Sequence, residues 1–288
     1  MARLLLQLMS YSRPSQSICK RLPSSKVYNT RLLSVLWKVC TVELLYLIPG
    51  DGMPDDEIKR REEMANSLAR SGTKITVEEV GEGPLSIESE IEAYMSIGPM
   101  LEWLFKRRTD IKYDAIIIGC AGDPGLSPMR ELVDIPVIGP AESAYHIACM
   151  VADRFSIISP RQAGGLDVAD DLIARTREMG LDRRLATVEF VEMPVTEMWG
   201  DDPTAIIKQA RAAINKAKEN GAGAVVLGCM SMAFRTADTK WDAGIPIINP
   251  LTAAIKIAES FVDMGILQSR VTYPAADFKK LIGTVFKE

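Results

Sequence analysis

Histidine occurs once in this 288-residue chain, as His146. A multi-histidine metal centre is thereby excluded, and nucleophilic catalysis by a cysteine–histidine pair would have to use that one residue. The five cysteines, at positions 19, 40, 120, 149 and 229, lie far apart without Cys-x-x-Cys spacing. Neither a zinc ribbon nor a disulfide framework is expected, and a reducing, cytoplasmic setting fits best. No Gly-x-Gly-x-x-Gly follows a strand, which argues against a dinucleotide cofactor. No apolar run approaches the ~20 residues that span a bilayer, so no membrane partner is expected. Positive charge is not in excess. With 34 Lys/Arg against 38 Asp/Glu, the net charge of −4 disfavours a nucleic-acid partner. What remains, 47% hydrophobic and 25% charged residues, is the ordinary composition of a soluble globular protein.

Acid is missing from one stretch only. The first 42 residues carry seven Lys/Arg and seven Ser but no Asp or Glu, and the first acid is Glu43. Such a stretch reads as a targeting segment or as a start-site extension, and it is set apart from the fold.

From Glu43 onward, strand and helix patterns alternate. Strands are expected at Leu44–Ile48, Ile75–Val80, Ala115–Ile118, Val137–Ile138, Phe155–Ile158, Thr187–Val191, Ala224–Leu227 and Ile247–Ile248. Helices are expected at Pro54–Arg70, Ser86–Arg107 with Ser86 as N-cap, Pro128–Leu132, Ala141–Ala152, Leu166–Met179, Pro203–Glu219 and Leu251–Met264. Alternation of this kind gives parallel sheets with right-handed crossovers. The fold class is therefore α/β: two similar doubly wound parallel-sheet domains. Residues 43–139 with 250–288 are expected to form one, and residues 140–249 the other.

The second domain rests on a repeat. Asp114-Ala115-Ile116-Ile117-Ile118-Gly119-Cys120 is followed, sixteen residues after the cysteine, by Pro136-Val137-Ile138-Gly139-Pro140. Ala222-Gly223-Ala224-Val225-Val226-Leu227-Gly228-Cys229 is followed, seventeen residues on, by Pro246-Ile247-Ile248-Asn249-Pro250. Each apolar run ends in Gly-Cys at the carboxyl end of a strand, where ligands bind in such sheets. Backbone N–H groups there favour a thiolate. Asp123, Ser127, Thr236 and Asp238 lie in the inserts and are available to orient a proton or a ligand. A single cysteine would most simply be a small buried hydrophobe. Two in matched loops suit another task, in which one thiolate takes a proton from a carbon and the opposite thiol returns one to the other face. His146 sits on a helix expected to face the core, and Cys149 among Ala148, Met150 and Val151 reads as core.

These residues resemble the aspartate/glutamate/hydantoin racemase superfamily, and within it the hydantoin racemase branch. The likeness spans most of residues 43–288. It is carried by Gly119-Cys120-Ala121-Gly122-Asp123-Pro124-Gly125, by Gly228-Cys229-Met230-Ser231-Met232, where Ser231 replaces a usual glycine, and by Ser86-Ile87-Glu88-Ser89. The resemblance implies two domains related by pseudo-symmetry with the active site in the cleft between them. It also implies racemisation without metal or cofactor, with Cys120 and Cys229 as the acid/base pair. Substrate contacts are implied for Pro49, Gly50, Asp51, Ser86, Glu88, Ala121, Gly122, Asp123, Met230 and Ser231. The substrate would be a 5-substituted hydantoin or related amino-acid derivative, and a homo-oligomer is left open. Alternatives within the superfamily are an amino-acid racemase, a decarboxylase or a cis–trans isomerase; outside it, a non-enzymic binding protein. One departure is Pro49-Gly50-Asp51-Gly52, where the family shows an Asn-Pro-Asn-Thr-like turn. Asp51 would repel an anion and accept the N–H of a cyclic amide or an ammonium group, or else simply make a tight turn.

Removal of residues 1–42 is expected to leave a folded, active protein. A truncated chain that had lost its helical circular dichroism or its turnover would move the boundary.

Overall fold

The computed structural model describes residues 41–161, 169–200, 202–282 and 284–285. Most of the basic extension, with Cys19 and Cys40, lies outside the described residues, as does the expected helix start at Leu166. The first half runs β1 (Val42–Ile48), α1 (Asp55–Leu68), β2 (Thr73–Glu79), α2 (Glu90–Arg107), β3 (Ala115–Ile118), α3 (Leu126–Leu132), β4 (Val137–Ile138) and α4 (Pro140–Val151). The second runs β5 (Phe155–Pro160), α5 (Ala169–Glu178), β6 (Leu185–Val191), α6 (Thr204–Glu219), β7 (Ala224–Leu227), α7 (Met230–Arg235), β8 (Ile247–Ile248) and α8 (Pro250–Met264), before a short α9 (Phe278–Leu281). No helix among the described residues is long and apolar enough to cross a membrane.

The strands form two four-stranded parallel sheets of identical topology, β2-β1-β3-β4 and β6-β5-β7-β8. The duplication extends to single hydrogen bonds. Gly119 N–H donates to Leu47 O at 2.7 Å and Gly228 N–H to Ile158 O at 2.6 Å. Ile116 N–H donates to Pro136 O at 2.8 Å and Val225 N–H to Pro246 O at 2.9 Å. The residues of β3 and β7 are fully or almost fully buried, as the continuous apolar runs require where helices cover both faces of a sheet.

Helices pack on the faces as the stripes dictate. One side of the first sheet meets α1 and α8 around Leu44, Tyr46, Ala65, Ile117 and Ile255. The other meets α2 and α3 around Leu47, Met100, Leu104, Ile118 and Met129. In the second sheet α6 covers one face and α4 the other. The two halves interlock, because Met230, Ala233 and Phe234 of α7 enter the core of the first sheet. Phe234 stands edge-on to Tyr46, 5.5 Å between centroids at 82°.

Several boundaries move. The long helix begins at Glu90, and Ser89 rather than Ser86 caps it. Ser89 Oγ accepts from Glu92 N–H, while a Glu92 carboxylate oxygen accepts from both Ser89 Oγ and Glu88 N–H. This is a capping box, a stronger start signal than a lone serine three residues earlier. Helix α3 starts at Leu126 because Gly125, at φ 69°, makes the turn into it. Strand β6 begins two residues early, at Leu185.

Gly119 marks the closest approach of the cysteine loop to the sheet. A Cβ there would stand 2.7 Å from Leu47 O and 2.8 Å from Ile48 Cα, both backbone atoms that cannot step aside. Gly119→Ala is expected to lower stability by about 1–3 kcal/mol, read as a reduced urea midpoint with unchanged slope.

Candidate functional site

A cavity of about 360 Å³ opens between the two sheets at the carboxyl ends of β1, β3, β5 and β7. Cys120 and Cys229 both line it, one from each half. Pro49, Gly50, Ser86, Glu88, Ala121, Gly122, Met230 and Ser231 line it too. Gly50 is needed for a close approach, since a Cβ would run into Pro84 O of the loop that carries Ser86 and Glu88.

Two candidates lie elsewhere. Asp51 is exposed in its turn and does not line the cavity. Asp123 does not line it either, and its carboxylate is fully buried, accepting from Ala141 N–H at 2.9 Å and Glu142 N–H at 2.8 Å, with Arg175 at 3.4 Å. It caps α4, whose own N-cap, Gly139, has no side chain to do so. In the other half Asn249 caps α8 itself, accepting from Leu251 N–H at 2.9 Å, and ties back to Ala233 O of α7 at 2.8 Å. One task, joining a cysteine loop to the helix after it, is done by a loop aspartate in one half and a cap asparagine in the other. Burial pushes the Asp123 carboxyl up to about 6 against the pull of Arg175 and the two amides.

Of the other insert residues, Ser127 and Asp238 are exposed, and Thr236 donates to Met232 O at 2.8 Å within its own helix. His146 is exposed on α4 rather than turned to the core, and its Nδ1 lies 2.7 Å from Glu142 O. Cys149 is half-buried at the edge of the second core. Neither reaches the cavity.

The thiols themselves depart from expectation. Gly122 N–H donates to Cys120 Sγ at 3.4 Å, and the Met232 and Ser231 N–H groups in the first turn of α7 pull the Cys229 thiol down without a formed hydrogen bond to its sulfur. These contacts favour the thiolates, but burial acts the other way and is larger. It pushes Cys120 up to about 12, a Cys229 thiolate would push it further, and Cys229 is also raised. The strand-end position supplies donors; the surrounding protein displaces much of the water that would stabilise a thiolate.

A neighbour that the sequence reading missed is Arg61. It is 2% exposed, donates through Nε to Glu57 Oε1 at 2.8 Å and through Nη2 to Ser231 Oγ at 2.8 Å, and lies 5.0 Å over the Phe234 ring. Trp199 Nε1–H reaches the same Ser231 Oγ at 3.1 Å. Tyr46, which donates to Gly119 O at 3.2 Å, has its hydroxyl near Arg61 and both thiols, and burial raises its pKa. Glu88 is 8% exposed; its Oε1 accepts from Ser86 Oγ at 2.8 Å, while its Oε2 is buried without a hydrogen-bond partner. Arg161 and Arg175 line the cavity from the second half, held by Glu192 at 2.7 Å and Glu178 at 3.0 Å. The missed signal for Arg61 was its i, i+4 spacing from Glu57 on the face shared with Ile58 and Ala65, an ion pair set in an apolar stripe.

A model of the Asp/Glu/Hydantoin racemase family matches residues 57–258, more than half of the chain. This chain belongs to that family. It is 36% identical over 228 residues to a hydantoin racemase from Pseudomonas sp. (strain NS671), covering 78% of this chain and 88% of that protein. It is 31% identical over 225 residues to a hydantoin racemase from Rhizobium meliloti, covering 77% and 90%. Among solved structures, allantoin racemase from Klebsiella pneumoniae superposes with a TM-score of 0.72 at 29% identity, over 84% of this chain and all of that one. The Asp/Glu/hydantoin racemase described here is thus an isomerase whose two parallel-sheet domains follow the family fold.

Because Asp51 is exposed outside the cavity, Asp51→Asn is expected to leave the ratio of turnover on neutral and anionic substrates unchanged. Asp123→Ala is expected to cost about 1.5–3 kcal/mol of stability, the range for hydrogen bonds to a charged group, measured by chemical denaturation. A changed substrate ratio for Asp51→Asn, or unaltered stability for Asp123→Ala, would reverse these two assignments.

Proposed function

We propose that this racemase inverts the carbon between a carbonyl and a ring nitrogen in a 5-substituted hydantoin or a related cyclic ureide, with Cys120 and Cys229 as the two acid/base groups and no cofactor. The observation that carries the reading is that the two Gly-Cys strand ends, one from each half, line a single cavity. The carbon–hydrogen bond of such a ring is acidic because the carbanion is delocalised into the carbonyl. One thiolate removes this proton, and the thiol on the opposite side protonates the planar intermediate on its other face. One proton leaves and one arrives, so the reaction balances without an external partner.

Burial serves this chemistry. A thiol raised by burial is a stronger base once ionised, and proton transfer is fastest when donor and acceptor are matched. Closing the cavity also keeps bulk water from reprotonating the intermediate indiscriminately. The free oxygen of Glu88 supports a substrate that brings an N–H donor next to the reacting carbon. A buried acceptor without a donor is costly, and a ring N–H would satisfy it. A substrate carboxylate near Glu88 would instead be repelled, by about 4 kcal/mol for unit charges ~4 Å apart at an effective dielectric near 20. The aspartate/glutamate type of substrate is accordingly disfavoured, and a decarboxylase has no use for the second thiol.

The test is hydrogen exchange in heavy water. Cys120→Ala and Cys229→Ala are each expected to abolish racemisation while still exchanging the ring carbon proton of one enantiomer, with opposite preference. Near wild-type racemisation by either variant, or exchange of the same enantiomer by both, would defeat the two-thiol reading.

A further inference from the structure

The two cysteine loops are matched in backbone but not in charge. Cys120 faces the Gly122 N–H, the Cys229 thiol, the Tyr46 hydroxyl and the Asp123 carboxylate, which is itself paired with Arg175 at 3.4 Å. Cys229 is surrounded by Arg61 from α1, Glu88 from the loop before α2, the Tyr46 hydroxyl from β1, and the Cys120 thiol. Arg61 in turn faces Glu57 and, more distantly, Glu79 and Tyr46. Arg61 is also built into the Cys229 loop. Its Nη2 donates to Ser231 Oγ, two residues after Cys229 in the first turn of α7. Trp199 Nε1 closes on Ser231 Oγ from the other side.

We infer that Arg61, acting through Ser231, is a positioning residue that makes Cys229 the thiolate of the resting enzyme and leaves Cys120 as the thiol. A buried guanidinium is ionised whatever the solution pH near neutrality, and it gains by having an anion close by. Burial pushes the Cys229 thiol up, and the Met232 and Ser231 N–H groups together with Arg61 oppose it, whereas only the Gly122 N–H opposes burial at Cys120. In the first half-turnover Cys229 therefore takes the carbon proton and Cys120 gives one up. The proton then rests on Cys229 and the thiolate on Cys120. The enzyme returns to its starting form when those two states exchange through solvent, or when a substrate of the opposite hand runs the transfer backwards. The inference rests on the two-thiol reading for its catalytic meaning, but the resting charge of each sulfur can be read without turnover.

The experiment is alkylation of the full-length chain by iodoacetamide from pH 5 to 10, with each cysteine quantified by mass spectrometry. In the wild type Cys229 is expected to be alkylated faster than Cys120 throughout this range. Arg61→Gln should slow Cys229 alkylation roughly tenfold at pH 7, the equivalent of about one pH unit, with no slowing at Cys120, whose thiolate is opposed by a Cys229 thiolate. Arg61→Lys, which keeps the charge but loses the fork, should fall between. Removing Arg61 strands Glu57, so Ser231→Ala, which keeps the backbone N–H and cuts only the grip, decides the matter if the Arg61 variants do not fold. It should slow Cys229 alkylation by a smaller amount, at least twofold in rate at pH 7. An unchanged Cys229 rate in the folded variants, equal slowing at both cysteines, or a wild-type Cys120 that is alkylated faster would each overturn the inference. Exchange results that rule out two-thiol racemisation, with these alkylation shifts present, would remove the catalytic meaning alone.

Discussion

Everything at the cavity hangs on one backbone contact made twice. In each half the strand that ends in Gly-Cys sits beside the central strand, and the glycine N–H bonds the carbonyl at or near that strand's end, Leu47 in one case and Ile158 in the other. The bond holds the chain against its neighbour one residue before the cysteine, so the thiol leaves the sheet at a fixed height and direction. No larger residue fits at that point. The glycine Cα lies against backbone in the first half, and against the Ile158 carbonyl and the Ile157 side chain in the second. The position of a reactive sulfur is thus set by the ladder of a fully buried parallel sheet, the least deformable part of the molecule. It is not left to the loop that follows.

On that symmetric frame the side chains are arranged asymmetrically. Asp123 caps α4 from the first cysteine loop, whereas Asn249 caps α8 from its own N-cap position and reaches back to α7. Arg61 serves the second loop only, and α7 is drawn into the core of the opposite domain by Met230, Ala233 and Phe234. A duplicated scaffold gives two sites for a sulfur. The differences between the halves decide how strongly each sulfur holds its proton.

Much of this was legible from residues alone because it depends on local pattern. Uninterrupted apolar runs such as Ala115–Ile118 and Ala224–Leu227 can only be strands covered on both faces, and the repeat of Gly-Cys at their ends exposed the twofold plan. Helix starts were less legible. Ser86 and Ser89 both qualify as caps, and only the reach of the Glu92 side chain back to Ser89 and Glu88 settles between them. Site residues divided the same way. Those adjacent in sequence to a cysteine or to Ser86 line the cavity, whereas Asp123 lies off it; a buried aspartate that caps a helix eighteen residues away looks, in one dimension, like any acid beside a thiol. Arg61 and Trp199 went unnoticed because their common partner, Ser231, is 170 and 32 residues distant.

Burial of both thiols looks at first like an obstacle to acid/base chemistry, since it penalises the very charge that a base must carry. The penalty falls on the free enzyme. A thiolate that water does not stabilise has more to gain by taking a proton from carbon, and the cavity need hold only one negative charge if one sulfur is ionised while the other is not. Two thiolates facing one another would repel in a medium that screens poorly, so the pair shares a single proton vacancy. A nearby cation biases where that vacancy rests. On the proposed two-thiol mechanism it must not bias it far, because the second half of the reaction requires the vacancy to occupy the other sulfur. Arg61 meets this condition. Its charge is already partly neutralised by Glu57, and it acts on Cys229 through Ser231 and not by direct contact in the hydrogen-bonded network. A guanidinium bonded straight to the sulfur would hold the thiolate too firmly for the vacancy to cross.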